Sequence, residues 1–262
     1  MSSIRLATSR QLRYLLVCTI LVLFSGGVLA DLPELIDQIK PSIVVVGTYV
    51  KARSPAFMMR GTGFIVGNGT LVATNVHVVP EVLDTANGET LMILALSGRA
   101  GVQQRQAKIE VSDKSHDLAL LRIEGSPLPV MVLQDSGKVR EGQNIAFTGF
   151  PIGSVLGLSP VTHRGIISAI TPIALPGGTA NQLNEKVIKR LKNGPFEIYQ
   201  LDGTAYPGNS GGPLFEMDKG EVIGIVNMVF VKGTKESVLT SPSGISYAVP
   251  VVYLQELLRS MQ

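Results

Sequence analysis

Three residues in this sequence have the side chains that can together activate a hydroxyl group as a nucleophile. Ser210 lies in "YPGNSGGP" (206–213), whose glycines and prolines suit neither a helix nor an ordinary strand. His77 lies in "LVATNVHVV" and Asp117 in "SHDLALLRI". A serine needs a base to take its proton, and that base needs an acid to hold its tautomer. We therefore predict Ser210 as nucleophile, His77 as general base and Asp117 as the acid, in one of the known triad orders.

The glycines around Ser210 predict a site for the oxyanion that forms during acyl transfer. Gly208, Asn209 and Ser210 make up this loop, and we expect the backbone N–H groups of Gly208 and Ser210 to be the donors. Gly211 and Gly212 would allow the substrate and neighbouring backbone to approach closely.

Each catalytic candidate also has a plainer interpretation when it is considered alone. A single histidine at the end of an apolar strand, such as His77, is usually structural, and an acid entering a strand, such as Asp117, is usually a solvated turn residue. Ser210 alone could be a turn serine, although the histidine and acid segments would then be coincidental. His163, in "VTHRGII", is interpreted as structural or exposed.

Residues 1–30 have the pattern of an export signal. A basic start without acidic residues precedes the apolar "YLLVCTILVLF", and "SGGVLA" follows it. The apolar run 14–30 has 17 residues, fewer than the roughly 20 of a typical membrane-spanning helix. We predict a signal peptide cut after Ala30, and an uncleaved N-terminal anchor is the alternative. Either way, the sequence predicts a periplasmic or secreted protein.

The charge balance after the signal argues against a nucleic-acid partner. All 20 acidic residues and 20 of the 23 basic residues follow Ala30, so this part of the chain is neutral. The densest basic run, "KVIKRLK" (186–192), is interpreted as a solvated helix face. The only cysteine, Cys18, lies in the signal, so no disulfide is predicted. Nothing in the sequence predicts a metal or another cofactor.

About eleven short β-branched runs, separated by turn residues, predict an all-β protein. We expect an N-terminal helix with a first barrel in residues 31–135, and a second barrel with a C-terminal helix in 136–262. The C-terminal helix should bury one face, and a further helical pattern covers 181–193. The residues of the buried C-terminal face are Leu254, Leu257, Leu258 and Met261.

Eight segments resemble, in the same order, those of the trypsin-like serine proteases and, within them, the HtrA (DegP-like) group. They are "GTGFIV", "LVATNVHVV", "DLALLRI", "GFPIG", "GIISAI", "YQLDGTAYPGNSGGPLF", "EVIGIVNM" and "GISYAVP". The resemblance covers Leu32 to Gln262. It implies a chymotrypsin-like fold of two six-stranded Greek-key β-barrels and endopeptidase activity on unfolded or misfolded polypeptides. It assigns the same roles to the three catalytic residues, and to Asp202 a structural role before the nucleophile loop.

The sequence also departs from this group, whose members usually carry PDZ domains after the protease. This sequence predicts none, because it ends about a dozen residues beyond "SYAVP". The resemblance further suggests a homo-trimer built near the N-terminus. Tyr49 and Phe57 are candidate contacts there, although core or exposed aromatic residues are an equally good interpretation.

The residues around the first specificity pocket predict a shallow, apolar site. Thr204, six residues before Ser210, leaves no carboxylate at the pocket floor for a Lys or Arg side chain. Asn227, Met228 and Val229 align with one wall, so small aliphatic residues such as Val, Ala or Ile should fit. Two alternatives remain: a catalytically weak, chaperone-like or binding protein on the same fold, and a glutamate-specific protease. The absence of a histidine from "GIVNMVF" counts against the second.

Overall fold

Twelve antiparallel β-strands and two short α-helices form the part of the chain that the computed structural model describes, which is residues 32–96, 101–135, 139–151, 157–172, 196–227 and 245–261. The first six strands are β1 (Ile43–Tyr49), β2 (Phe57–Val66), β3 (Leu71–Asn75), β4 (Thr90–Leu96), β5 (Val102–Asp113) and β6 (Leu118–Ile123). The other six are β7 (Asn144–Gly149), β8 (Val161–Pro172), β9 (Glu197–Asp202), β10 (Pro213–Glu216), β11 (Val222–Asn227) and β12 (Ile245–Pro250). The helices are α1 (Leu32–Ile39) and α2 (Val251–Arg259).

Each set of six strands closes into its own barrel, and the two barrels have the same strand order. The first runs β1-β2-β3-β6-β5-β4 and the second runs β7-β8-β9-β12-β11-β10. In both, the fourth strand pairs with the first strand of its barrel and not with the third, as in a Greek key. Closure leaves neither sheet with a free edge. The predicted all-β fold of two six-stranded barrels is therefore confirmed.

The continuous apolar runs arise because many strands are buried on both faces. In β1, Val44 and Val46 belong to the cluster that fills the first barrel, whereas Ile43 and Val45 belong to a cluster shared by both barrels. Successive side chains of a strand point to opposite faces, so a strand placed between two cores must be apolar throughout.

Both helices pack into this shared cluster. Leu35 of α1 lies against the β10–β11 turn, where a side chain on Gly220 would overlap it. Leu254 and Leu257 of α2 are buried there, and Leu258 and Met261 are partly buried beside them, which confirms the predicted C-terminal helix. Among the described residues, no helix has the length and apolarity needed to cross a membrane.

The described residues of the connector between the barrels, 124–135 and 139–143, make backbone hydrogen bonds to both barrels. Part of it runs parallel to β11, with Leu133 opposite Val222. These bonds include Leu128 N to Gly69 O (2.9 Å), Met131 N to Ile65 O (3.0 Å), Val222 N to Val132 O (2.8 Å) and Gln134 N to Val222 O (2.9 Å). The side chain of Gln255, on α2, donates to Gln134 O at 3.0 Å.

The structure adds detail that the sequence patterns did not provide. Strand β2 begins at Phe57, four residues before the run "GTGFIVG" that predicted it, and β10 was not among the predicted strands. The predicted signal peptide (1–30) and the helical pattern at 181–193 lie outside the described residues. The boundary proposed at 135–136 stays a prediction.

Candidate active site

His77 and Asp117 form a directly hydrogen-bonded pair in the first barrel. Strand β3 ends at Asn75, and a 3₁₀ turn over Val76–Val78 carries His77 out of the sheet. His77 Nδ1 lies 2.6 Å from Asp117 Oδ2, and the backbone N–H of His77 donates to Asp117 Oδ1 at 3.0 Å. A carboxylate can only accept, so Nδ1 carries the proton, and Nε2 is left as the acceptor when the ring is neutral. This is the tautomer that a general base requires.

Asp117 occupies an unusual backbone position. Its φ is 57°, and among the described residues it is the one non-glycine residue with a positive φ. Such a conformation costs roughly 1–2 kcal/mol for an L-residue. Its carbonyl oxygen accepts from Val76 N (3.1 Å) and Asn75 Nδ2 (3.0 Å), which hold the turn against the end of β3. The side chain is buried, so the interpretation of Asp117 as a solvated turn residue is wrong.

A residue of the second barrel also donates a hydrogen bond to the Asp117 carboxylate. Asn227, the last residue of β11, is fully buried and donates from Nδ2 to Asp117 Oδ2 at 2.9 Å. The sequence predicts Asn227 on the wall of the specificity pocket, and in the structure its side-chain amide is hydrogen-bonded to the acid. The pattern of β11 could not reveal this contact, because it depends on how the two barrels pack.

The backbone before Ser210 forms a tight turn. Asn209 N donates to Tyr206 O at 2.9 Å, with Pro207 and Gly208 at the two central positions. Gly208 has a φ of 107°, and this arrangement matches a type II turn. A side chain on Gly208 would also overlap the carbonyl oxygen of Phe150, so only glycine fits.

The Ser210 loop docks on the first barrel. Thr62 of β2 donates from its backbone N to Ser210 O (2.9 Å) and from Oγ1 to Gly208 O (2.6 Å). A side chain on Gly61 would overlap both Val78, the residue after His77, and the carbonyl oxygen of Ser210. The turn that carries His77 and the loop that carries Ser210 therefore both pack closely against Gly61.

Within the predicted oxyanion loop, Asn209 is already engaged. Its N–H closes the turn, and its carbonyl oxygen accepts from Gly212 N at 2.9 Å. Its side chain is fully buried, and neither amide atom has a hydrogen-bond partner among the described residues. Gly208 and Ser210 remain the predicted oxyanion donors.

The predicted specificity pocket is described only in part. Thr204 is half-buried, and Ser246 on β12 holds its neighbours: Ser246 Oγ donates to Gly203 O (2.7 Å) and accepts from Ala205 N (2.8 Å). Sequence reasoning missed this contact of Ser246. Met228 and Val229 lie outside the described residues, so the shape of that wall stays a prediction. Asp202 is exposed at the end of β9.

His163 does not join the candidate site through any described contact to His77, Asp117 or Ser210. It lies on β8 and stacks on Phe147, with ring centroids 5.0 Å apart and planes inclined by 20°. Burial lowers the pKa of His163 below its usual value of 6.5. No cluster of three or more His, Cys, Asp or Glu side chains in the described part of the chain could hold a metal ion.

Comparison with known proteins identifies the class to which this fold and site belong. The family model for the trypsin-like peptidase domain matches residues 61–225. The chain therefore belongs to the trypsin-like peptidase family.

Within that family, its relatives are HtrA-type serine proteases. A probable periplasmic serine endoprotease DegP-like from Pseudomonas putida (strain GB-1) is 35% identical over 191 residues, covering 73% of this chain and 32% of the relative. The mitochondrial serine protease HTRA2 of Drosophila pseudoobscura pseudoobscura is 33% identical over 205 residues, covering 78% and 39%. The chain thus spans about a third of the length of the first of these relatives and two-fifths of the second.

One solved HtrA-type structure gives the same assignment, and a second supports the fold. The HtrA-type protease AlgW, in a structure with a tripeptide, superposes with a TM-score of 0.61 at 25% identity and covers 88% of this chain and 64% of its own. Deg5 superposes with a TM-score of 0.60 at 22% identity, covering 86% and 90%, which supports the fold alone.

Proposed function

We propose that this protein is a serine endopeptidase in which Ser210 attacks the peptide carbonyl, His77 takes its proton and Asp117 holds His77. His77 then gives the proton to the leaving amine, and water repeats the sequence to release the acyl group. The backbone N–H groups of Gly208 and Ser210 would stabilise the oxyanion, and each such donor contributes about 3 kcal/mol to the transition state.

The observation that carries this proposal is the set of hydrogen bonds made to the Asp117 carboxylate. The carboxylate accepts hydrogen bonds from Nδ1 of the His77 ring, from the backbone N–H of His77 and from the side-chain amide of Asn227. The Asp113–His116 pair has the same Nδ1 contact, but Asp113 is only partly buried, whereas the buried Asp117 carboxylate is also bonded from the other barrel. The docking of the Ser210 loop on Thr62, beside the His77 turn, adds support.

The proposed substrates are unfolded or misfolded polypeptides cut after small aliphatic residues. Thr204 at the pocket floor supports this, because it offers no charge to a basic or acidic side chain. The preference should be graded, since one methylene changes binding by roughly 1–3 kcal/mol.

We also propose that the protein is exported and works in the periplasm. The pattern of residues 1–30 supports this, as do relatives that are named periplasmic serine endoproteases. N-terminal sequencing of the native protein tests the proposal. A start at Asp31 is expected, and an intact Met1 in the membrane fraction would favour the anchor.

A homo-trimer is the proposed assembly. Tyr49 and Phe57 face each other across β1 and β2 and are both partly exposed. Light scattering of the exported form should give three times the chain mass, and replacing both aromatic residues with serine should lower it. A monomer in the unaltered protein would contradict this assembly.

The test of activity compares the protein with Ser210→Ala on an unfolded substrate. Turnover should fall by a factor on the order of 10⁴ to 10⁶ while the thermal unfolding midpoint stays near native. A fluorophosphonate probe should label the unaltered protein at Ser210 and leave the variant unlabelled. Binding of the unfolded substrate without cleavage or labelling would instead identify the chaperone-like alternative.

The pocket proposal is tested with peptides that vary at the residue before the cut. Val, Ala and Ile should give the highest kcat/KM. A dominant preference for Arg, Lys or Glu would contradict the proposed pocket.

A further inference from the structure

His116, the residue before Asp117, is at the centre of an aromatic cluster. Its ring stacks on Tyr253 of α2, with centroids 4.0 Å apart and planes inclined by 13°. Phe196, just before β9, meets the His116 ring edge-on at 4.7 Å and the Tyr253 ring edge-on at 5.6 Å. The Tyr253 hydroxyl accepts from Glu197 N at 3.3 Å, so the start of β9 is tied to the same cluster.

The polar edge of His116 is tied to the turn that presents Asp117. His116 Nδ1 is hydrogen-bonded to Asp113 Oδ2 at the end of β5. The other oxygen of Asp113 accepts from Ser115 N (2.8 Å) and His116 N (3.3 Å). The hydrogen bond with His116 is the main cause that lowers the pKa of Asp113, so this carboxylate is held in its charged form. One side chain therefore joins the β5–β6 turn to α2 and to β9.

This arrangement bears on catalysis because Asp117 lies next in the chain and has a left-handed backbone conformation. A non-glycine residue keeps such a conformation only when its surroundings fix it. The side towards β3 is held by Val76 N and Asn75 Nδ2, which bond to the carbonyl oxygen of Asp117. On the preceding side, the contacts described for the turn are those of Asp113 and His116.

We propose that His116 is a positioning residue for Asp117, and that its stack on Tyr253 makes the placement of the catalytic carboxylate depend on the docking of α2. The inference rests on the proposed function. Loosening the stack should leave the substrate cleft intact and should misalign the Asp117–His77 pair. The loss should therefore fall on kcat, since small displacements of a catalytic group reduce the chemical step without reducing substrate binding.

The experiment uses four single variants of the mature protein and one peptide substrate. His116→Leu and Tyr253→Leu each remove one ring of the stack and should lower kcat by roughly fivefold to twentyfold, with KM within about twofold. The double variant should lose little more than His116→Leu, because the stack is already absent from that single variant.

Two matched variants separate positioning from general destabilisation. Tyr253→Phe keeps the ring and removes only the hydroxyl, so its kcat should stay within about twofold of the unaltered protein. Leu257→Ala empties a buried site on the same helix and leaves all three rings of the cluster in place. It should lower the thermal unfolding midpoint at least as much as Tyr253→Leu while kcat stays near the unaltered value.

A spectroscopic signature reports on the pair directly. The proton between His77 Nδ1 and Asp117 should give a far-downfield ¹H resonance, identified as the one lost in His77→Ala. In His116→Leu and Tyr253→Leu this resonance should shift or broaden, and in Leu257→Ala it should not.

The proposal is overturned if His116→Leu and Tyr253→Leu keep the kcat of the unaltered protein, or if their downfield resonance is unchanged. It is equally overturned if Leu257→Ala lowers kcat as much as they do. These outcomes are distinct from failure of the proposed function, in which the unaltered protein itself would not cleave the peptide.

Discussion

The two barrels have the same strand order and use the same connection for different purposes. In the first barrel, the link from the third to the fourth strand carries His77; in the second, the equivalent link carries Ser210. His77 is held within its own barrel by the Asp117 turn. The Ser210 loop instead bends through a glycine turn and relies on Thr62 of the other barrel.

This difference shows how one topology can present two kinds of catalytic group. A base needs a fixed ring orientation, which side-chain hydrogen bonds at the end of a strand can supply. A nucleophile beside two converging N–H groups needs a backbone path that regular structure does not offer, and glycines provide it. We therefore expect substitutions in the first barrel to lower activity by breaking side-chain hydrogen bonds. Substitutions in the second barrel should lower it by steric overlap with the backbone.

The strongest test of the first-barrel arrangement is Asp117→Asn. Asparagine tolerates the left-handed backbone, so the fold should be retained, while the amide cannot hold the required tautomer of His77. We expect kcat to fall by roughly 10⁴ with a near-native thermal midpoint. Asp202→Asn, at an exposed acid close to the nucleophile loop, is the control and should leave kcat within about threefold. A fall of less than tenfold in Asp117→Asn would remove the acid from the mechanism.

In the second barrel, Gly208→Ala tests the role of backbone space. The methyl group would overlap Phe150 O at a φ of 107°, which forces the oxyanion turn to move. Loss of one donor predicts a fall in kcat of about 10² to 10³. Gly142→Ala is matched, because Gly142 has a φ of 80° and nothing within 4 Å of an added methyl group. Gly142→Ala should lower the thermal unfolding midpoint and leave kcat unchanged. Equal losses of kcat in the two variants would contradict a role for steric overlap at Gly208.

Asn227→Leu tests the one described side-chain hydrogen bond that the second barrel makes to the catalytic acid. Removing a donor to a buried carboxylate costs about 1.5–3 kcal/mol, so kcat should fall by roughly 10-fold to 100-fold. Steady-state kinetics decide how the loss divides between kcat and KM. A rise in KM with kcat intact would show that Asn227 acts mainly on the specificity-pocket wall, as its position in the sequence suggested.

The smallest expected effect concerns His163 and the dependence of stability on pH. Burial lowers the pKa of His163, so the unfolded chain binds its proton more readily than the folded protein does. Stability should therefore be lost as pH falls from about 6.5, the unfolded value, towards the lower folded pKa. Urea unfolding of His163→Phe should show a shallower loss over this interval. Identical slopes in both proteins would contradict the prediction.

The sequence predicted the fold class well because its signals are local. Successive side chains of β1 point alternately into two cores, so the strand is apolar throughout. Turn residues mark the gaps between strands. Strand β10 was missed because it has only four residues and begins with proline. The burial of Asp117 and the contact from Asn227 also escaped prediction, since both depend on where strands far apart in sequence meet. The predicted partnership of His77 with Asp117 is a direct hydrogen bond in the structure, because both residues lie at the ends of adjacent strands of one barrel.

The hydrogen-bonded connector between the barrels bears on how long such a protein would survive among copies of itself. A polypeptide enters a protease cleft as an extended strand whose backbone groups are free to pair with the enzyme. In the connector, Val130 and Val132 expose the small aliphatic side chains that the proposed pocket would accept. Its backbone is already paired with Gly69, Ile65 and Val222. If the proposed specificity holds, a segment with the composition of a good substrate would thus be withheld from self-digestion for as long as both barrels stay folded around it.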